Sequence, residues 1–196
     1  KLDDIAVKIS GARKNNIPSL SKKLEGILDN LGMPQARFSI KNTLSDHYFN
    51  NGKDTLEFLF SANKGGQLGE LKKVASGGEL SRIMLAIKKV LSENSQLPTI
   101  IFDEIDSGVS GEISNKMAQI MYQMSQQMQV ITITHLPQIA AKGNQHYKVY
   151  KEDENNSTTT HLKQLSPDER IVEIAEMLSG KEISDTAITH ARELLN

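Results

Sequence analysis

Cysteine and tryptophan are both absent from this 196-residue sequence, and aromatic residues make up only 5% of it. The lack of cysteine excludes a disulfide framework, a thiolate metal site and a cysteine nucleophile. Long apolar runs are missing as well: none approaches the roughly 20 residues that cross a bilayer, so no membrane partner is expected. No cationic-then-apolar leader opens the sequence, and the expected compartment is the cytoplasm. Charge of one sign is missing too. The net charge of -1 gives no global electrostatic case for nucleic-acid binding. Lys1 to Lys23, with six basic and two acidic residues, is the one local exception, and a solvated helix face explains it more cheaply. Finally, there is no Gly-x-x-x-x-Gly-Lys-Ser/Thr loop. The nearest fragment, Gly52-Lys53-Asp54-Thr55, lacks the earlier glycine and the hydroxyl directly after lysine, so the chain has no phosphate cradle of that kind.

What is present describes an ordinary water-facing chain of one-domain size, 38% hydrophobic and 24% charged with a mean hydropathy of -0.39. Leu2, Ile5, Ile9 and Ala12 follow the three-four spacing of a helix face, and Leu20, Leu24, Ile27 and Leu31 resume it after Pro18. Proline removes a backbone donor and clashes with the preceding turn, so two helical pieces are expected, Pro18 kinking the helix or opening a second one that Gly32 and Pro34 end. Residues 1–33 thus read as the end of a coiled-coil arm entering a lobe of residues 34–196. Arg37 to Leu44 and Thr55 to Ser61, separated by Asn50-Asn51-Gly52, predict a hairpin. A Gly- and Lys-rich loop, Asn63 to Gly69, leads to Ala75-Ser76-Gly77-Gly78 and an amphipathic helix marked by Leu80, Ile83, Met84, Ile87 and Leu91.

After Pro98, the run Thr99-Ile100-Ile101-Phe102 predicts a strand buried on both faces of a parallel sheet, with Asp103 and Glu104 at its carboxyl end. A helix over Glu112 to Met128, a second buried strand over Val130 to Thr134 and a short helical turn over Pro137 to Lys142 complete a β-α-β order. Tyr147 to Lys151 and Thr158 to Lys163 flank an Asp153-Glu154-Asn155-Asn156 turn as a second hairpin. Helices over Pro167 to Leu178 and Ser184 to Leu195 follow.

Three features carry chemistry. Adjacent acids at a strand end suit hydrolysis at a metal-bound phosphate, one carboxylate reaching Mg²⁺ and its neighbour orienting or deprotonating water. Acids also collect wherever a buried strand meets solvent. Ser76-Gly77-Gly78-Glu79 opens a helix, where a hydroxyl, unobstructed amides and the positive helix end together form an anion site. Taken alone, the same four residues read as an N-cap with a glycine turn. Thr134-His135 ends the next strand, where a histidine can meet a terminal phosphate or serve as a structural hydrogen-bonder.

Together, in this order, the three resemble the ABC ATPases: the signature sequence ASGGELSR, the Walker B strand running into IFDEIDSGVSG, and the switch histidine of THLPQIAAKGNQHYKVYKE. The resemblance is closest to the SMC-like DNA-repair branch of that family. It implies an α/β fold, the C-terminal lobe of a P-loop NTPase head, with a mainly parallel sheet core, flanking helices and a hairpin, preceded by a coiled-coil end. It implies that Asp103 helps to hold Mg²⁺, Glu104 is the general base and His135 contacts the γ-phosphate. Ser76, Gly77, Gly78 and Glu79 would meet the ATP of an opposing head, with Ser107, Gly108 and Ser110 as the D-loop. Ser110 departs from the aspartate that many members carry there. The implied partners are the protein's own N-terminal Walker A lobe, a second head in a homodimer, DNA and a recombinase. The implied setting is the nucleoid of a bacterial cytoplasm, and the implied activity is Mg²⁺-dependent ATP hydrolysis in recombinational repair of double-strand breaks, absent from this chain alone. A non-catalytic dimerisation module with an ABC-like shape is the alternative, as is an SMC-like head serving chromosome compaction or nuclease control.

Overall fold

The computed structural model describes residues 1–95, 97–109, 111–154, 157–180 and 182–196. They form two compact units, Lys1–Gln96 and Leu97–Asn196.

The first unit opens with helix α1, Leu2–Asn30, whose first turn carries Asp3 and Asp4 against the positive helix end. Contrary to the two pieces expected, α1 runs unbroken through Pro18. Proline in a helix interior costs about 3 kcal/mol. Burial of a leucine returns about 1.5–3 kcal/mol, and Leu24 and Leu28 are both buried after the proline, with Ile17 and Leu20 packed on the same core on either side of it. Tertiary packing therefore carries the helix across. At its end Gly32 takes φ +77, while the Gly32 and Met33 amides donate to Asp29 and Leu28 carbonyls at 3.0 and 2.9 Å. This is a Schellman closure, which needs the left-handed conformation that glycine adopts without strain.

Strands β1, Arg37–Phe49, and β2, Gly52–Ser61, form the expected hairpin but run longer than predicted, in antiparallel register from Arg37↔Ser61 to Leu44↔Asp54. A two-residue strand β3, Gly69–Glu70, pairs with β2, and a single turn α2, Leu71–Val74, precedes α3, Gly77–Asn94. Phe38, Ile40 and Phe60 from the hairpin meet Leu24 and Leu28 of α1 and Ile83 and Ala86 of α3 in one core. Beside it, the fully buried carboxylate of Asp54 accepts a 2.8 Å hydrogen bond from Arg13 Nη1.

In the second unit, β4, Thr99–Asp103, and β5, Gln129–Ile133, pair in parallel through α4, Glu112–Ser125. Ser114, Met117, Ala118, Met121 and Met124 form the buried face of α4, and Ile100 and Phe102 are the buried positions of β4. The expectation of strands buried on both faces is corrected here: Ile101, Ile131 and Ile133 are 59%, 42% and 53% exposed. Their alternation with buried positions in β4 and half-buried ones in β5 marks one covered face and one open one, because successive strand residues point to opposite sides.

Helix α5, Pro137–Lys142, follows, then strands β6, Tyr147–Glu154, and β7, Ser157–Gln164, pair as the second hairpin; Asn155 and Asn156 of its expected turn lie outside the described residues. Helices α6, Pro167–Ser179, and α7, Asp185–Leu195, pack with α5 around Ala141, Ile174, Ala175, Ala187 and Ala191. Among the described residues no helix is long and apolar enough to cross a membrane.

Burial opposes ionisation of Asp54, but the hydrogen bonds from Arg13 and Ser10 outweigh it and hold the carboxyl below its ordinary value of 3.8. A depressed folded-state value contributes stability that is present above the ordinary value and is lost as pH falls through the folded one. Arg13→Ala leaves that buried charge without its partner and is expected to cost about 3 kcal/mol in urea unfolding at neutral pH. The deficit should shrink on acidification below the ordinary carboxylate range.

Candidate functional site

The parallel register sets Asp103 opposite Ile133, so both strands end at the same edge of the sheet. Beyond that edge, Glu104 donates its backbone N–H to the Ile133 carbonyl at 3.2 Å. Glu104 has φ +47, the one positive φ at a non-glycine position among the described residues. The left-handed region crowds a side chain against its own backbone at a cost of roughly 1–2 kcal/mol, so the sharp exit from the strand is held by its surroundings. Ser107 supports it, its N–H and hydroxyl donating to the Glu104 carbonyl at 3.2 and 3.0 Å. Gly108 then turns the chain with φ +73.

Asp103 and Glu104 are both exposed. Neither carboxylate is engaged in an ion pair or a side-chain hydrogen bond among the described residues, which leaves both free for outside ligands. Among the described residues no group of three or more acidic, histidine or cysteine side chains is arranged to hold a metal there. A lone strand-end carboxylate still fits Mg²⁺, an ion that keeps several waters and takes its remaining oxygens from substrate phosphates.

The acid that sequence reasoning passed over is Asp106. It is fully buried, and its Oδ2 accepts a hydrogen bond from the Thr134 hydroxyl. Thr134 Oγ1 in turn accepts from the Leu136 N–H at 3.0 Å. His135, with 66% of its side chain exposed, places Nδ1 3.7 Å from Asp106 Oδ1. Asp103, Glu104, Asp106, Thr134 and His135 thus share one sheet edge. Spacing could not have shown this, since a third acid in a loop after two others reads as surface; only the parallel pairing explains its burial.

The signature residues lie in the first unit, where Ser76 is the N-cap of α3. Glu79 reaches back, accepting the Ser76 N–H at 2.8 Å and the Ser76 hydroxyl hydrogen at 2.9 Å. The hydroxyl expected to face a phosphate therefore donates to the chain's own carboxylate, which also takes the Ser76 N–H as the glutamate of a capping box does. A side chain at Gly77 would meet nothing within 4 Å, so its backbone is open to approach. Arg82 ties the start of α3 down, donating from Nε to the Gly78 carbonyl at 3.0 Å and from Nη1 to the Leu31 carbonyl at 3.1 Å. Of the expected D-loop, Ser107 and Gly108 are exposed as described, and Ser110 lies outside the described residues.

This fold, with its acids at the end of a parallel strand, is that of SMC head domains. Solved structures share it: the Smc head domain with a coiled coil and joint from Pyrococcus yayanosii matches with a TM-score of 0.63 at 17% identity, over 85% of this chain and 30% of that one. A structure described under ATP-driven dimerization and DNA-stimulated activation of SMC ATPases matches with a TM-score of 0.58 at 19% identity, over 88% of this chain and 99% of that one. No family model matches the chain. Curated relatives narrow the class. The DNA repair protein RecN of Deinococcus radiodurans is 41% identical over 187 residues, 95% of this chain and 33% of its own length. RecN of Haemophilus influenzae is 38% identical over 97% of this chain and 34% of its own length, and RecN of Bacillus subtilis 47% over 74% and 25%. The chain is similar to these RecN proteins over most of its own length, and it spans a quarter to a third of theirs.

The positive φ at Glu104 makes a stability prediction separable from chemistry. In ordinary strand or helix positions glycine is less stable than alanine by roughly 0.5–1 kcal/mol. Here Glu104→Gly is expected to be more stable than Glu104→Ala by about 1 kcal/mol in thermal unfolding, because glycine adopts the left-handed conformation without strain.

Proposed function

We propose that this chain is the signature-bearing half of an ATP-hydrolysing head that acts in recombinational repair of DNA double-strand breaks, with residues 1–33 as the end of its coiled-coil arm and residues 34–196 as the lobe. The observation that carries the reading is the common sheet edge: two free carboxylates, Asp103 and Glu104, leave it at the end of one strand, and a histidine follows the end of the neighbouring parallel strand. In this reading Asp103 holds Mg²⁺ through water and Glu104 accepts a proton from the attacking water. His135 donates to the terminal phosphate oxygen. The metal would supply charge neutralisation at the phosphates, and the protein's contribution is position and electrostatics.

The signature residues Ser76, Gly77, Gly78 and Glu79 act on the ATP of a second head, with the D-loop residues Ser107, Gly108 and Ser110 at the contact between heads. Glu79 must then release the Ser76 hydroxyl when phosphate arrives, so engagement exchanges one hydrogen bond for another. The ATP-driven dimerization named for an SMC neighbour supports the pairing of two heads in this reading. The proposed partners include DNA and a recombinase, in the nucleoid of a bacterial cytoplasm; the name of the relatives, DNA repair protein, supports the first, while a net charge of -1 supplies no dominating phosphate-binding surface of its own.

The phosphate loop must come from the protein's N-terminal Walker A lobe. We assign its docking to the open face of β4 and β5, where Ile101, Ile131 and Ile133 stand exposed on a parallel pair of the kind normally covered on both sides.

Mixing this chain with the separately expressed Walker A lobe should produce Mg²⁺-dependent ATP hydrolysis that neither component shows alone. Glu104→Gln is expected to lower the rate of the mixture at least about 100-fold, the size of a lost general base, and Ser76→Arg to abolish it. Robust hydrolysis by the isolated chain, lost on Glu104→Gln, would sink the split-head reading. A mixture that binds ATP without hydrolysing it favours a non-catalytic clamp.

The docking face has its own test. Ile131→Lys replaces an exposed side chain, so the stability of the isolated chain should change by no more than about 0.5 kcal/mol. Association with the Walker A lobe, followed by size-exclusion chromatography, should be lost. Unchanged co-elution would move the docking site elsewhere.

A further inference from the structure

We infer that Asp106 fixes the orientation of His135 and holds a proton on its Nδ1, a positioning role that rests on the reading of His135 as the phosphate contact. Asp106 is fully buried, yet Oδ1 has no hydrogen-bond partner. A buried carboxylate is strongly destabilising unless paired. Among the described residues the one basic side chain within ion-pair distance of it is His135, whose Nδ1 lies 3.7 Å from that oxygen. The other oxygen is fixed from the opposite side. Thr134 Oγ1 accepts from the Leu136 N–H, which turns its own hydrogen toward Asp106 Oδ2. The carboxylate is therefore locked with one oxygen on the threonine and the other toward the imidazole.

The chemistry follows from the two ring nitrogens being distinct. With Asp106 as acceptor, the neutral ring carries its proton on Nδ1 and presents a bare Nε2 outward. When Nε2 is also protonated it becomes a donor to an anionic oxygen, and Asp106 balances the charge. No bond is made or broken at Asp106; it holds one proton at one atom and one ring in one plane. Asp106 also sits three residues beyond Asp103 in the loop that leaves β4, while Thr134 and His135 follow β5. The pair thus links the two strand ends through side chains as well as backbone.

The test is the tautomer of His135 in the ¹⁵N-labelled chain without nucleotide, read by long-range ¹⁵N–¹H correlation at alkaline pH, where imidazoles are neutral. His135→Gln assigns the signals. An exposed imidazole favours the Nε2–H form, so finding Nδ1 protonated and Nε2 bare is the expected and discriminating result. In Asp106→Asn the amide carbonyl must face the Thr134 hydrogen, which turns the NH₂ toward His135 Nδ1 and should invert the tautomer. The Nε2–H form in the unsubstituted chain overturns the proposal, and so does an unchanged tautomer in a folded Asp106→Asn chain. The first readout needs no variant, so a variant that fails to fold leaves the proposal testable. It also needs no ATP, so it stands apart from the fate of the reconstituted ATPase. If the tautomer inverts while reconstituted hydrolysis keeps its rate, the pair exists but its positioning role in hydrolysis is overturned.

Discussion

Parallel pairing of Thr99–Asp103 with Gln129–Ile133 is the constraint on which the chemistry of the second unit depends. In a parallel pair both carboxyl ends emerge on one edge, which an antiparallel pair of the same strands would separate by a strand length. The register is tight: Asp103 lies opposite Ile133, and the next amide, Glu104, bonds to the Ile133 carbonyl. The residues that follow each strand then have no choice but to meet. A parallel connection needs a crossover, and α4 supplies it, burying Met117, Met121 and Met124. Covering one face leaves the other, with its three isoleucines, dependent on apolar surface from elsewhere.

In the first unit the corresponding constraint is the shared core of α1, the β1–β2 hairpin and α3. Two polar links join α1 to α3: Arg82 to the Leu31 carbonyl, and the Lys23–Glu93 ion pair. Exposed ion pairs contribute about 0–1 kcal/mol. Burial of Leu24, Leu28, Phe60 and Ile83 contributes about 1.5–3 kcal/mol for each side chain. The apolar terms dominate, and the polar links determine how the helices are aligned within that packing. Arg82 in particular draws the first turn of α3 onto the end of α1 through two backbone carbonyls, so the geometry of Ser76 to Glu79 is tied to that of residues 28–33.

Much of this was legible in the sequence because its signals are local. The Asn50-Asn51-Gly52 turn, the Gly32 stop and the helix after Ser76 each rest on a residue whose backbone or capping preference is intrinsic. The failures are non-local. Pro18 argues for a break only while the contacts of Ile17 and Leu20 with a distant core are unknown. Ile101 reads as buried because an apolar run carries no record of which face has a cover. The signature serine was legible as an N-cap and as an anion ligand, and the structure realises the first through Glu79, three residues on. Asp106 was illegible for a different reason. Its burial depends on Thr134, 28 positions away, and a sequence interval of that size says nothing of distance in space until the strands are paired.

Two costs fall on one edge of one strand pair: a non-glycine residue at positive φ, Glu104, and a fully buried carboxylate with an oxygen lacking a hydrogen bond, Asp106. Neither is needed to hold the unit together. The register of β4 and β5 is made by backbone, and the buried face by Ile100, Phe102 and the methionines of α4. A glycine at 104 would relieve the first cost and a threonine or asparagine at 106 the second. Violations of local preference that packing does not require are expected where a side chain is needed for chemistry. Their coincidence with the two free carboxylates and the exposed histidine weighs against a purely structural role for this edge, since a scaffold would have no use for both backbone strain and a buried carboxylate oxygen without a hydrogen bond there.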